Sequence, residues 1–232
     1  MLFKKLRLGA FASGRFHSTK SPSVTGRFVP QHEPIREADI RQLEDFLSDK
    51  PNILVLTGAG ISTESGRFRV NPPIESPSNS FIPEGIPDYR SEGVGLYARS
   101  TSRPVQYNEF IRSPDARKRY WARNFVGWPR FSNCQSNFTH IALSRFERDG
   151  RLSGIVTQNV DRLHSKAGSQ NVVEVHGSAY DVMCLGCDYT ILRHDFQNIL
   201  NSLNRNMIDR SEMVRPDGDV EIPQVSSLAS SK

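Results

Sequence analysis

Cysteine and long apolar runs are both scarce in this sequence. Only three cysteines occur in 232 residues, and Cys134 lies far along the chain from Cys184 and Cys187. Three cysteines so placed do not make a disulfide framework, which needs several pairs in a small secreted chain. No stretch approaches the roughly 20 apolar residues that a membrane-spanning helix needs. The sequence therefore predicts a soluble protein with no membrane insertion.

Acidic residues are absent from the chain before Glu33. Six Lys and Arg residues precede it, among many hydroxyl-bearing and apolar side chains. This pattern is typical of a mitochondrial transit peptide, and we expect one over residues 1–28, with the mature protein in the mitochondrial matrix. A disordered basic tail is the alternative. Because this leader accounts for the net charge of +5, the charge does not indicate a nucleic-acid partner.

The spacing of apolar residues predicts alternating helices and strands after the leader. Helices are expected over residues 37–50, 114–128 and 137–148, and short apolar runs predict strands over 52–57, 155–157 and 172–175. Such runs are typical of buried parallel strands. Their alternation with helices favours an open parallel sheet of the α/β class. A chain of this length buries one substantial core, or one core with a small appended module.

Two of the predicted helices carry apolar residues on one face. Ile40, Leu43 and Phe46 share a face of the first, and Phe138 and Phe146 share a face of the third. Residues at this spacing are expected to pack against the sheet.

The first predicted strand leads into Gly58-Ala59-Gly60-Ile61-Ser62. Glycines here let the backbone turn sharply and approach a pyrophosphate closely, with N–H groups aimed at the anion. The third glycine of the common dinucleotide fingerprint is absent, because Thr63 stands at its place. By itself, the run is equally compatible with an ordinary tight turn.

Polar residues follow the next two predicted strands. Gln158, Asn159 and Asp161 come after one of them, and His176 ends the run of residues 173–176. An imidazole titrates near neutral pH and suits general-base catalysis, although most histidines are solvated or structural. For the amide and acid residues, the alternative is a strand-to-helix cap in which Asp161 opens a helix over residues 163–167.

Cys184 and Cys187 are separated by two residues, a spacing from which two thiolates bind one zinc ion. A closed structural zinc site needs four ligands. His194 is the only nearby replacement ligand, and its spacing is poor. These residues therefore predict half of a zinc site.

The order of these motifs resembles the sirtuin family of NAD-dependent protein deacylases. In chain order they are residues 58–62, Ile86-Pro87-Asp88-Tyr89-Arg90, residues 157–161, Val175-His176-Gly177 and the cysteine pair. Residues 91–97 and 119–128 are similar to the mitochondrial sirtuin 4 branch in particular. The resemblance extends from about Arg36 to Asp219. It implies an open, Rossmann-like NAD-binding sheet with a small zinc-binding module.

The resemblance also implies roles for individual residues. Those expected to bind the cofactor are Gly58, Ala59, Gly60, Ile61, Tyr89, Arg90, Gln158, Asn159 and Asp161. Among them, Tyr89 would shield the ribose from water and Arg90 would lie near the phosphates. His176 matches the general base that takes a proton from a ribose hydroxyl after the acyl oxygen has attacked the sugar carbon. Cys184 and Cys187 match zinc ligands.

The implied reaction transfers an acyl group from a protein lysine to ADP-ribose and releases nicotinamide. The sirtuin 4 branch is associated with bulkier acyl groups, including lipoyl-type groups, and with ADP-ribosyl transfer. The expected cofactors are NAD and structural zinc, and the expected partners are acylated mitochondrial proteins. A conventional dehydrogenase is disfavoured by the missing third glycine and by the setting of His176.

Two departures from the family pattern stand out. Residues 67–85 form an insertion of 19 residues with four prolines, whose composition predicts a disordered loop; we interpret it as an alternatively spliced or unspliced segment. The family's second cysteine pair is missing, and residues 226–232 form a small polar tail. We therefore expect a C-terminally truncated chain, with residues 29–176 as the NAD-binding domain and 177–232 as an incomplete zinc module and divergent tail. The alternative function is a catalytically inactive isoform that only binds partners or does not accumulate.

Overall fold

The computed structural model describes residues 29–30, 32–50, 52–66, 85–99, 104–204, 218 and 220. The expected transit peptide over residues 1–28 lies outside these ranges, as do residues 67–84 of the insertion and residues 221–232 of the tail. Within these ranges, no helix has both the length and the apolar composition that crossing a membrane requires.

Helices and strands alternate along the described chain. In order they are α1 (Glu37–Ser48), β1 (Ile53–Thr57), α2 (Leu96–Arg99), α3 (Tyr107–Arg112), α4 (Pro114–Asn133), α5 (Phe138–Arg148), β2 (Leu152–Thr157), α6 (Leu163–Lys166), β3 (Val172–Glu174), β4 (Asp181–Met183), β5 (Thr190–Leu192) and α7 (Arg193–Leu203). A single 3₁₀ turn, Ala59–Ser62, follows β1.

Strands β1, β2 and β3 form a parallel sheet with β2 in the middle. Thr57 pairs with Thr157, which pairs in turn with Glu174. The three strands therefore end at the same edge of the sheet, and the loops that follow them meet there. The predicted strands and their parallel α/β arrangement are confirmed. Strands β4 and β5 form a separate antiparallel hairpin.

One face of the sheet is exposed within the described part of the chain. Leu54 and Leu56 are 69% and 70% exposed, and Val173 on β3 is 53% exposed. The apolar face of α1 is exposed as well, since Leu43 and Phe46 are 57% and 64% accessible. The first predicted helix is therefore confirmed, but the expected packing of its apolar face is not seen among the described residues.

The core lies around α4. Trp128 and Phe131 of α4 pack with Ile86, Leu163 and Val220 in one buried cluster. Helix α4 begins after Ser113, whose hydroxyl accepts a hydrogen bond from the Ala116 N–H, and it continues five residues past the predicted end at Trp128.

This extension of α4 passes through Pro129. A proline in a helix interior removes one backbone hydrogen bond. Phe131 lies beyond it and is fully buried, so tertiary packing outweighs the local propensity to stop the helix.

The third predicted helix is confirmed, but its buried face is not the predicted one. Asn137 caps α5 by accepting hydrogen bonds from the N–H groups of Thr139 and His140. His140 and Ser144 are the residues of α5 that are buried, whereas Phe138 is 78% exposed. The His140 ring on this buried face packs against the His164 ring, with 4.8 Å between the ring centroids, and apolar spacing does not register a buried histidine.

The two ends of the insertion lie side by side. The Ile86 N–H donates to the Ser62 carbonyl at 3.2 Å, and Gly85 adopts a positive φ of 76°. A Cβ on Gly85 would lie 2.0 Å from the Thr63 carbonyl oxygen. The chain therefore leaves and re-enters the loop at one point, and the segment that begins at Ile86 is bonded to the turn after β1 across the insertion.

Substituting Gly85 by alanine should lower the free energy of unfolding by at least about 2 kcal/mol. The added Cβ would clash with the Thr63 carbonyl oxygen, and alanine would also bear the cost of a positive φ. Gly93→Ala is the matched control, since Gly93 has φ 70° but nothing within 4 Å of its would-be Cβ. We expect a loss of only about 1 kcal/mol there. Urea denaturation measures both; equal losses would show that the close approach at Thr63 does not exist in solution.

Candidate functional site

The first loop at the site follows β1. Gly58 is extended, and the 3₁₀ turn from Ala59 to Ser62 begins after it. The first N–H groups of such a turn have no carbonyl partner inside the turn, so they are available to an anion. Ser62 ends the turn and is 1% exposed.

The second loop follows β2 and is bonded to the first. The Gln158 N–H donates to the Thr57 carbonyl at 3.0 Å. The side-chain amide of Asn159 donates to the Gly58 carbonyl at 3.1 Å and to the Ser62 hydroxyl at 3.2 Å. Asn159 is 8% exposed, so its amide fixes the two loops against each other.

Asp161 is the anchor of this second loop. It is 4% exposed, and its carboxylate accepts from the Ser62 hydroxyl at 2.7 Å and from the Leu163 N–H at 3.0 Å. The first bond joins Asp161 to the glycine turn. The second binds the first N–H group of α6, although the N-cap residue of this helix is Arg162 and not Asp161. Sequence reasoning missed Ser62 as a site residue; its hydroxyl in an otherwise apolar turn was the available signal.

His176 comes from the third loop, after β3. The ladder extends to Val175, whose N–H donates to the Thr157 carbonyl at 3.0 Å. The His176 Nδ1 lies 3.0 Å from the Gln158 carbonyl oxygen. A carbonyl can only accept, so Nδ1 carries a proton and the neutral ring presents Nε2 as its basic nitrogen.

A cavity of about 480 Å³ opens beside His176. Its walls come from α3, α4, the segment after His176 and the start of α7. The residues that line it are Val105, Tyr107, Phe110, Tyr120, Trp121, Asn124, His176, Ser178, Ala179, Asp181, Val182, Met183 and Arg193. Aromatic and aliphatic side chains dominate, which suits a largely apolar ligand.

Arg193 is a buried cation at the wall of this cavity. Its guanidinium donates to the Gln197 side chain at 2.7 Å and to the Asn124 carbonyl at 3.1 Å, and it lies 4.7 Å from the Trp128 ring centroid. Burial lowers the pKa of Arg193 to about 10. These contacts attach α7 to α4 and fix one wall of the cavity.

A buried polar network supports the two loops from below. The Thr57 hydroxyl donates to Thr157 Oγ1 at 2.9 Å and lies 2.9 Å from His164 Nε2, and Thr157 Oγ1 accepts from the Asn159 N–H at 3.1 Å. His164 is 2% exposed. His164 therefore acts as a packing and hydrogen-bonding residue.

A second buried imidazole packs against the first. The His140 ring centroid lies 4.8 Å from that of His164, and Nε2 of His140 and Nδ1 of His164 have no hydrogen-bond partner among the described residues. Burial lowers the pKa of His140 to about 3, with His164 adding to the effect. Burial also lowers the pKa of His164, against an opposing effect of Asp161.

This histidine pair should make the protein sensitive to acid. The pKa of His140 is lower in the folded state than its ordinary value of 6.5, so the unfolded chain binds the proton first. The free energy of unfolding should therefore fall as pH drops below 6.5, by about 2 kcal/mol at pH 5 from His140 alone.

Urea denaturation between pH 5 and pH 8 measures this slope. His140→Gln should have a flatter slope than the wild type on the acid side, whereas His194→Gln, at an exposed position, should keep the wild-type slope. Parallel curves for the wild type and His140→Gln would contradict the assignment.

Tyr89 and Arg90 lie on the segment that Ile86 attaches to the first loop. The Tyr89 ring is half-buried, 5.7 Å from the Tyr97 ring, and Arg90 is exposed. The Asp88 carboxylate shapes this segment by accepting from the N–H groups of Arg90 and Ser91 at 3.1 and 2.8 Å. Thus the loops bring together Gly58, Asn159, Asp161 and His176, while Tyr89 and Arg90 stand on an adjoining turn.

Cys184 and Cys187 lie between β4 and β5, and both are exposed. The Gly186 N–H donates to Cys184 Sγ at 3.3 Å. This bond, followed by the contact with Cys187, lowers the pKa of Cys184, which favours the thiolate that zinc requires. The described ranges contain no group of three or more His, Cys, Asp or Glu residues able to hold a metal ion. The zinc site that the cysteine spacing indicates stays a prediction.

Known proteins resemble this chain in sequence and fold. The sequence profile described as Sir2 family matches residues 82–218. The NAD-dependent protein deacylase Sirt4 of Drosophila melanogaster is 62% identical over 211 residues, which cover 90% of this chain and 62% of that protein. The mitochondrial NAD-dependent protein lipoamidase sirtuin-4 of Homo sapiens is 45% identical over 200 residues, which cover 86% and 58% respectively.

A solved structure described as "Structural Basis for the Mechanism and Regulation of Sir2 Enzymes" superimposes with a TM-score of 0.52 and 28% identity, over 80% of this chain and 63% of that one. The chain thus spans about three fifths of the length of the curated relatives that it matches.

Proposed function

The chain belongs to the Sir2 family, and we propose that it acts as an NAD-dependent protein-lysine deacylase. The observation that carries this proposal is the convergence of three loops at one edge of the sheet. Three groups meet there: the glycine turn, the buried side chains of Asn159 and Asp161, and His176. The Gln158 carbonyl bonds Nδ1 of His176 and leaves its Nε2 available as a base. This set matches the residues that the family resemblance assigns to cofactor binding and base catalysis.

NAD, when bound, supplies the ribose carbon that receives the acyl oxygen and the nicotinamide that leaves. The residues fit such a ligand. The Ala59 and Gly60 N–H groups would face the phosphates, since the Ile61 N–H already donates to the Gly58 carbonyl at 3.1 Å. A Cβ on Gly60 would have no neighbour within 4 Å among the described residues. Gln158, Asn159 and Asp161 would hold the ribose and the carboxamide, Tyr89 would cover the ribose, and Arg90 would lie near the phosphates.

His176 would take a proton from a ribose hydroxyl. The Gln158 carbonyl at 3.0 Å holds the proton on Nδ1 and leaves Nε2 as the base. An imidazole in this state transfers protons well near neutral pH.

The cavity beside His176 would take the acylated lysine. Rings of Tyr107, Phe110, Tyr120 and Trp121 contribute to its lining. A volume of about 480 Å³ exceeds what an acetyl group needs, and this supports bulkier acyl groups of the lipoyl type. Arg193 and Asn124, bonded to each other, add polar atoms at one side.

We further propose acylated mitochondrial proteins as substrates and the mitochondrial matrix as the location. The human relative is named mitochondrial, and the acid-free basic leader over residues 1–28 supports import. A reporter fused to residues 1–35 should enter mitochondria, and a cytosolic reporter would contradict this part of the proposal.

Structural zinc is a separate proposal. Cys184 and Cys187 would supply two of the four ligands that such a site needs, within the module that we assign to residues 177–232. Residues 29–176 would form the NAD-binding domain. Because two thiolates leave the site incomplete, the purified chain should hold less than one zinc ion per chain, and Cys184→Ser should hold none. Zinc retained by Cys184→Ser at the wild-type level would contradict the assignment.

The decisive experiment incubates the chain with NAD and peptides that carry acetyl-lysine or lipoyl-lysine. Nicotinamide and deacylated peptide should appear in equal amounts, without formation of NADH and without nicotinamide release when the peptide is omitted. Formation of NADH would indicate a dehydrogenase instead, and nicotinamide release without deacylation would favour ADP-ribosyl transfer.

A second candidate is a chain that binds partners without turnover. The exposure of Leu54, Leu56 and Val173 favours it, because parallel sheets of this class are normally covered on both faces. Saturable NAD binding without nicotinamide release would identify this case.

A further inference from the structure

Arg162 has an unusual backbone conformation next to the proposed site. It is the one non-glycine residue in the described ranges with a positive φ, at φ 55° and ψ 21°. Residues other than glycine occupy this left-handed region at a cost in free energy and persist there when their surroundings fix them. The contacts of the Arg162 side chain are therefore expected to account for its left-handed backbone.

The Arg162 guanidinium lies between two carboxylates. Its Nε is 3.9 Å from Glu174 Oε2, and its terminal nitrogen donates a short hydrogen bond to the Asp181 carboxylate. The group also lies 5.4 Å from the Tyr180 ring centroid. Arg162 is only 34% exposed, and the two acids are 21% and 37% exposed. The Asp181 pair lies at the surface, whereas the Glu174 contact is longer and involves a half-buried acid whose pKa is raised by burial, against an opposing effect of Arg162.

The two carboxylates flank the segment that carries His176. Glu174 is the last residue of β3 and Asp181 the first of β4, so residues 175–180 lie between them. Two further bonds attach this segment to the loop after β2: the Ala179 N–H donates to the Val160 carbonyl at 3.1 Å, and His176 Nδ1 to that of Gln158. Arg162 belongs to the end of that same loop and joins both ends of the segment to it.

We propose that Arg162 is a positioning residue for His176. Its guanidinium bridges Glu174 and Asp181, and this bridge holds the His176 segment at the distance from Asn159 and Asp161 that the proposed reaction needs. The left-handed backbone of Arg162 is the conformation that aims the side chain between the two acids. The inference rests on the proposed function of the site.

The test compares Arg162→Ala, Arg162→Gly and Arg162→Lys in the full chain. The first two remove the bridge, so kcat for deacylation should fall about 10-fold while KM for NAD stays within about 2-fold, because misplacement of a base affects the reaction step. Arg162→Lys keeps a cation and should recover part of the lost kcat. Arg36→Ala is the control, since it removes a similar but more exposed ion pair with Asp39.

Comparing melting temperature with kcat distinguishes a positioning role for Arg162 from a general contribution to the stability of the fold. Arg162→Gly relieves the left-handed strain and should melt about 2 to 4 °C above Arg162→Ala, yet both should lose kcat equally. If the kcat of these two variants followed their melting temperatures, the role of Arg162 would be structural only, and the proposal would be overturned.

Amide hydrogen exchange tests for the bridge between Arg162 and the two acids independently of turnover. The amides of Val175, Gly177 and Ala179 should exchange at least about 10-fold faster in Arg162→Ala and Arg162→Gly than in the wild type, and at the wild-type rate in Arg36→Ala. Faster exchange in these two variants, combined with a wild type that shows no deacylation, would support the bridge while rejecting the proposed function. Unchanged exchange would overturn the bridge, whatever the effect on kcat.

Discussion

Replacing His176 by alanine should lower the rate of deacylation by about 10²-fold or more, the usual scale for a lost general base. NAD binding should be largely retained, because the contacts that join Gly58, Asn159 and Asp161 do not involve the imidazole. Single-turnover kinetics measure the rate, and calorimetric titration of NAD measures the binding.

His194→Ala is the control for this substitution, because His194 lies on α7 and is exposed. It should keep the wild-type rate and affinity. A rate for His176→Ala within a few-fold of the wild type would remove His176 from the mechanism. Loss of NAD binding would instead make it a binding residue.

Removing the Asp161 carboxylate should produce the largest loss of stability. In Asp161→Ala the Ser62 hydroxyl and the Leu163 N–H lose an acceptor at nearly complete burial. Buried donors without partners cost about 1–3 kcal/mol each, so the free energy of unfolding should fall by about 4 kcal/mol. NAD binding should be lost as well, because the carboxylate no longer holds the glycine turn against the second loop.

Asp149→Ala is the matched control, at an exposed position after α5. It should change the free energy of unfolding by no more than about 0.5 kcal/mol. Asp161→Asn keeps the shape and one acceptor oxygen, so we expect an intermediate loss. If Asp161→Ala and Asp149→Ala unfolded at the same urea concentration, the buried network around Asp161 would not contribute to stability.

The sheet and the position of the site could be predicted because short apolar runs mark the strands, and the polar residues of the site follow directly after them. Residues 52–57, 155–157 and 172–175 are short runs rich in β-branched and aliphatic residues, which favours strands, and polar residues follow each run. Parallel strands place such followers at one edge. Gly58, Asn159 and His176 come together for that reason, and it does not depend on the details of packing.

Other features depended on contacts that spacing does not encode. The Ile86 N–H bonds to the Ser62 carbonyl, although the insertion of residues 67–85 separates the two residues in sequence. Residue spacing therefore does not predict this contact. Arg162 also looks like an ordinary solvated residue, because its bridge requires the relative positions of β3 and β4. Such pairings are set by tertiary geometry, so a single sequence does not reveal them.

The measurement that tests the central claim most directly is a crystal structure of the chain with NAD and a peptide carrying an acylated lysine. The account predicts phosphates at the Gly58–Ile61 turn, the carboxamide at Asn159 and Asp161, the acyl group in the cavity, and Nε2 of His176 within hydrogen-bond reach of a ribose hydroxyl. A nicotinamide ring bound away from Asn159 and Asp161, or Nε2 of His176 facing away from the ribose, would contradict it.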